Sequence, residues 1–135
     1  MTEITRTLAI LSDSDIVVEV NIKKILIETT FELIKANAKI IDGSVLYISD
    51  IIGEGWRNYS YHWQKNNELI MRWDNAPHHR DLPNFPHHIH IKNRDPEPHE
   101  EVSILLARYT VTTSGGSRSM CHSQINALLD KCLFP

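Results

Sequence analysis

From Phe31 to Trp73 apolar and polar residues alternate with a period of two. In Phe31–Ile40, Glu32, Ile34, Ala36, Ala38 and Ile40 fall on one side and Lys35, Asn37 and Lys39 on the other. Only an extended chain gathers such an alternation into one apolar surface. Asp42-Gly43 follows and predicts a two-residue type I′ hairpin, whose central positions both need φ > 0. Val45–Ser49 reads as the return strand, broken by Gly53 and Gly55. Asn58–Gln64 reads as a third strand, Lys65–Glu68 as a turn and Leu69–Trp73 as a fourth strand. Upstream, Ile4, Leu8, Ile10 and Leu11 recur at helical spacing and predict a short helix within 2–12, stopped by Asp13-Ser14-Asp15. Ile16 to Ile27 fits both periods, and its β-branched residues lean it toward a strand.

If Asn66-Asn67 is the turn, Tyr61 lies opposite Arg72 and Tyr59 opposite Asp74. Tyr59, Tyr61, Trp63, Ile70, Arg72 and Asp74 then share one face, and Ser60, His62, Gln64, Leu69, Met71 and Trp73 the other. Neither face is cleanly apolar, and a slip of one residue would regroup both. Farther on, Asn93–Pro98 is a polar linker, and His99–Arg108 has helical composition with Val102, Leu105, Leu106 and Tyr109 as its stripe. Thr110–Ser119 reads as a flexible link and Ser123–Leu133 as a closing helix. These elements predict an α+β fold: an antiparallel β-meander of about four strands, an N-terminal helix and a C-terminal helical segment. One domain is expected over 1–109, with a link and short terminal segment over 110–135.

The chain has 135 residues, 41% hydrophobic and 23% charged, enough for one domain with its own core. A formal charge of -3 argues against a uniformly basic nucleic-acid binder but leaves room for a local basic patch. Cys121 and Cys132 match no zinc or redox spacing and read as thiols of a reducing compartment. No stretch approaches the ~18 apolar residues that span a bilayer, and the N-terminus lacks a secretory signal. A cytoplasmic protein without a membrane association is expected.

Candidate chemistry is concentrated between Arg72 and Ile91. Five of the eight histidines (His78, His79, His87, His88, His90) lie there among Pro77, Pro83 and Pro86. Prolines remove backbone donors and fix φ, which excludes a regular helix or a central strand. Imidazole titrates near neutral pH and is the commonest metal ligand, so two chemistries stay open. In the first, histidines act as acid and base on a phosphodiester, Arg72 neutralises phosphate and Asp74 orients an imidazole. Tyr59, Tyr61 and Trp63 would offer stacking faces to unpaired bases, with sheet packing as the plain alternative. In the second, His78, His79, His87, His88, His90, Asp74 and Asp81 supply ligands for zinc, manganese or nickel. Alternating His88 and His90 would point one way from a strand, and His78 and His79 are further metal candidates.

The strings Tyr59-Ser60-Tyr61-His62-Trp63-Gln64, Arg72-Trp73-Asp74-Asn75-Ala76-Pro77-His78-His79 and Leu82-Pro83-x-Phe85-Pro86-His87-His88-x-His90 resemble the TumE family. These are toxin components of prokaryotic toxin–antitoxin pairs. The resemblance carries over to Tyr61, His62, Trp63, Arg72, Asp74, Asn75, His78, His79, His87, His88 and His90. Arg80 departs from the pattern by adding a cation where relatives tend to have proline. From about Ile104 the sequence no longer resembles the family. The resemblance implies a toxin acting on RNA, with a cognate antitoxin as partner. Arg72, Asp74 and the five histidines would be catalytic, and Tyr59, Tyr61, His62, Trp63, Asn75 and Arg80 substrate-binding. The cofactor stays open from the sequence: none, or a divalent ion such as zinc or manganese. The alternative is a metal- or partner-binding regulator without catalysis.

Overall fold

The computed structural model describes residues 2–104, 107, 108, 110 and 111. Helix α1 spans Glu3–Ser12, with Thr2 Oγ1 accepting from the Thr5 amide at its N-cap. Seven strands follow among the described residues: β1 Val17–Ile27, β2 Phe31–Ile40, β3 Val45–Gly53, β4 Trp56–Lys65, β5 Glu68–Asp74, β6 His88–Ile91 and β7 Glu97–Pro98. They form one antiparallel sheet in chain order.

The α+β expectation of about four strands with a C-terminal helical segment is therefore corrected to a mostly-β fold. β1 resolves the mixed period of Ile16–Ile27 in favour of its β-branched residues. β6 forms within the segment that prolines were expected to keep out of a sheet. All three prolines precede His88, so nothing in His88–Ile91 lacks a donor, and β6 pairs with β5 on one side and β7 on the other. Pro98 sits on the edge strand, where a missing N–H is tolerated. Besides α1, helical backbone is described only at Ile104, Ala107, Arg108, Thr110 and Val111. The flexible link expected over Thr110–Ser119 is corrected at its start, since Thr110 and Val111 are helical and buried, Val111 in the core. Residues 112–119, the 123–133 helix and both cysteines lie outside the described residues, as do Leu105, Leu106 and Tyr109.

Two hairpins differ in their turn chemistry. Gly43 takes φ +88° but Asp42 does not go positive, so the expected type I′ turn is replaced by a three-residue loop. The Gly43 amide donates to Ile40 O (3.0 Å) and the Ile40 amide to Ser44 O (2.9 Å), the pattern of a type I turn closed by a left-handed glycine. The type I′ signature appears instead at Asn66 and Asn67, with φ of 52° and 61°. Lys65 pairs with Glu68 and Gln64 with Leu69, but Trp63 then pairs with Met71. Ile70 is the extra residue of a β-bulge. Beyond it the register is Tyr61↔Trp73, His62↔Arg72 and Ser60↔Asp74, one residue from that counted straight from the turn.

This slip sorts the faces. Tyr59, Tyr61, Trp63, Met71, Trp73 and Ile89 join Ala38, Ile40, Leu46 and Ile48 in one core, covered by Leu11, Val102, Ile104, Ala107 and Val111. The opposite face carries Lys35, Asn37, His62 and Arg72 and is open there, but it is covered at Asp74 and His88. Within the covered face one polar cluster is buried. Arg57 donates from Nε to Asp50 Oδ1 (2.9 Å), from Nη2 to Asp50 Oδ2 (2.8 Å) and from Nη1 to Glu101 Oε1 (3.0 Å). The Tyr61 hydroxyl donates to Asp50 Oδ2 at 2.6 Å, and the guanidinium lies 4.4 Å from the Tyr59 ring centre. Burial alone would lower the Arg57 pKa, but the paired carboxylates raise it instead.

Burial pushes the Tyr59 hydroxyl up to about 12. Burial and the neighbouring Asp50 carboxylate push Tyr61 well above the ordinary phenol value. The folded chain thus keeps protons that the unfolded chain releases above pH ~10. Stability is full below that pH and falls as pH rises toward 12, by about 2 kcal/mol for Tyr59 alone. Ultraviolet titration should leave at least two of the four tyrosines un-ionised until the circular dichroism signal collapses. Ionisation of all four near pH 10 with that signal intact would contradict the buried placement.

Candidate active site

The open face of β4, β5 and β6 carries His62, Arg72, Asp74, His88 and His90, placed by the register His62↔Arg72, Arg72↔His90 and Asp74↔His88. Neighbouring residues directly opposite one another share a face. The loop after β5 returns over this patch and lays His79 on it. Ring centres lie 4.8 Å apart for His79–His88, 5.4 Å for His79–His90 and 4.8 Å for His88–His90, all edge to face. One ring nitrogen from each of the three lies within 4.8 Å of the others.

Asp74 is the hub, 3% exposed. Its Oδ2 accepts from Arg72 Nε at 2.8 Å and its Oδ1 from the Ala76 amide at 3.0 Å. His88 Nε2 lies 3.0 Å from Oδ1 and His90 Nε2 3.8 Å from Oδ2. Burial pushes the Asp74 carboxyl up, but Arg72, the Ala76 amide and His88 together outweigh it, so its pKa is lowered and the group stays ionised. The His90 pKa is lowered, first by burial and then by the crowding of His88. His62 is lowered too, by burial and then by Arg72. The His88 ring is 2% exposed and donates from Nδ1 to Pro86 O at 2.8 Å. Its Nε2, although close to Asp74, is out of line for a hydrogen bond and has no hydrogen-bond partner.

Beside this cluster runs an open trough of about 480 Å³ across β1 to β5. Lys23, Lys35, Asn37, Tyr47, Ser49, Ser60, His62, Gln64 and Arg72 line it, with no carboxylate among the lining residues. Arg72 lines the trough, pairs opposite His90 in the sheet and binds Asp74, so the trough adjoins the imidazole cluster. Lys23, Lys35 and Tyr47 were not singled out from the sequence. Their signal was the polar half of the alternation, legible in Lys35 and Asn37 of β2.

The other proposed site residues lie elsewhere. His78, Arg80 and Asp81 are exposed and outside the imidazole cluster. His87 stacks on Tyr59 (5.9 Å, 14°), with Nδ1 2.9 Å from its hydroxyl. Tyr59, Tyr61 and Trp63 are core side chains with no ring face left for a base. Asn75 ties the loop to β4, its Oδ1 accepting from the Tyr59 amide (2.9 Å) and its Nδ2 donating to Arg57 O (2.6 Å). No helix among the described residues is long and apolar enough to cross a membrane.

A protein-family model described as Toxin TumE matches residues 7–111. The match reaches beyond Ile104, where the sequence was read as leaving the family pattern. No curated protein and no solved structure matches the chain.

Replacing Asp74 with alanine leaves Arg72 and the imidazoles without their shared carboxylate. Breaking a buried ionic contact costs about 3–5 kcal/mol, and the 40% exposure of the Arg72 side chain puts the expected loss near the lower end. Urea denaturation at neutral pH in the presence of chelator would read it. A loss below about 1 kcal/mol, the range of exposed pairs, would show that the contact is only superficial.

Proposed function

The chain belongs to the TumE toxin family, and from that premise we propose that this toxin cleaves RNA on the open face of its sheet. The observation that carries the reading is the trough. Its charged lining residues are Lys23, Lys35 and Arg72, all cations, and Arg72 pairs opposite His90 of the imidazole cluster. A concave surface of one sign attracts and aligns a polyanion even when net charge is negative, as it is here. Phosphates along the trough would meet the two lysines, and the scissile phosphate would meet Arg72. Its guanidinium is held by Asp74 through Nε, which leaves the terminal nitrogens for a phosphoryl oxygen.

Cleavage further needs activation of the attacking oxygen and stabilisation of the charged transition state. His79 and His90, both half-buried, line the approach and supply the activation. Buried His88 positions them with Asp74. Tyr47, 42% exposed and with an edge toward His62, supplies the aromatic face for a base that the buried tyrosines cannot. A toxin family implies a cognate antitoxin, and a partner laid over the trough would block RNA directly.

Purified protein should cleave single-stranded RNA, and Arg72→Ala should lower the rate by roughly 100-fold or more, the usual loss for a transition-state donor. Three phosphate contacts give a log–log salt slope of about -2 for binding, reduced by about 0.7 in Lys35→Ala. Cleavage unaffected by Arg72→Ala, or binding independent of salt, would remove this reading.

A further inference from the structure

We propose that His79, His88 and His90 form a binding site for one divalent transition-metal ion, with Asp74 beside it and one coordination position open toward the trough. The ribonuclease reading is deepened by this site but is not needed for it, since the ion binds without RNA.

Three observations converge. The ligating atoms of the three residues lie within 4.8 Å of one another. Nitrogens at about 2.1 Å around a tetrahedral ion would sit about 3.4 Å apart, so the three ligands close on an ion with shifts of no more than roughly 1.5 Å. Second, His88 already has the arrangement of a metal ligand. Its Nδ1–H is spent on Pro86 O, which fixes the tautomer and leaves a buried Nε2 without a hydrogen-bond partner. Metal-bound histidines hold their second nitrogen in this way. Third, a buried carboxylate, ionised and clamped by Arg72 and the Ala76 amide, stands 3.0 Å from that nitrogen. It offsets the charge of an ion and can accept a hydrogen bond from a water molecule bound to it.

Three imidazoles select zinc, cobalt or nickel over magnesium and calcium, which prefer oxygen ligands. A three-histidine site with an open position is of the catalytic rather than the structural kind. The ion would lower the pKa of a bound water or RNA hydroxyl, whose proton would pass to the ionised Asp74 carboxylate beside it. His79 and His90, as ligands, would no longer serve as the base. His78 is outside the group although it adjoins His79 in sequence.

The test uses the full chain, free of any histidine tag and stripped with chelator, titrated with Co²⁺ as a visible probe and then with Zn²⁺. One equivalent of Co²⁺ should develop ligand-field bands that Zn²⁺ abolishes and excess Mg²⁺ leaves unchanged. His79→Ala, in a loop whose loss spares the core, should weaken binding by roughly 100-fold or more, and His78→Ala should leave it intact. Circular dichroism confirms that both variants are folded. No bands, bands insensitive to His79→Ala, or equal loss in His78→Ala would overturn the site. Stoichiometric binding without RNA cleavage would leave the site standing and remove the ribonuclease reading instead.

Discussion

Side chains on a strand point alternately to opposite faces, so pairing that moves by one residue exchanges core for surface. In this protein that constraint acts at Ile70. The bulge there lets Met71 face Trp63 and Trp73 face Tyr61, so that the large rings of β4 and β5 meet on the covered side. The same offset sets Arg72 against His62 and Asp74 against Ser60 on the open side. β6 inherits the register, which brings His88 opposite Asp74 and His90 opposite Arg72. Core and site are thus two readings of one alignment.

Asp74 then makes a polar surface coherent. A carboxylate this deeply buried is costly unless its oxygens are satisfied, and Arg72 donates to one oxygen and the Ala76 amide to the other. Arg72 in turn faces the trough, so the charge that neutralises Asp74 also marks the end of a cationic surface. A similar solution serves the other side of the sheet, where Arg57, Asp50 and Tyr61 form a closed group beneath the covering segment. There Nε and both terminal nitrogens of the guanidinium are bonded to carboxylates and the side chain is 18% exposed. At Arg72 only Nε is bonded to a carboxylate and the side chain is 40% exposed, which leaves its terminal nitrogens for a ligand.

Much of this was legible in the sequence because period-two patterns map directly onto faces. β2 could be read from Ile34, Ala36 and Ala38, the turn from Asn66-Asn67, and the concentration of chemistry from the histidines. The bulge was not legible. Ile70 looks like any strand residue, and only the demand that Met71 and Trp73 be buried together with Tyr61 and Trp63 exposes the extra position. For the same reason the sequence leaves Tyr59, Tyr61 and Trp63 open between base platforms and sheet packing, and they are core. β6 was hidden by the prolines before it, although the alternation of His88 and His90 carried its signal. The trough was hidden by distance, since Lys23, Lys35 and Arg72 meet only when four hairpins have folded.

From Met71 to Asp74 and again from His88 to Ile91, neighbouring positions alternate between a side chain that holds the core and one that shapes the polar face. Such a ribbon has little neutral ground. A change at Trp73 opens a cavity worth about 3–5 kcal/mol, and a change one step along strikes the charge network. Substitutions in the turns and at exposed loop positions such as His78 and Arg80 touch neither set. The distinctive wording of this part of the chain is the imprint of a surface and an interior written on the same few residues.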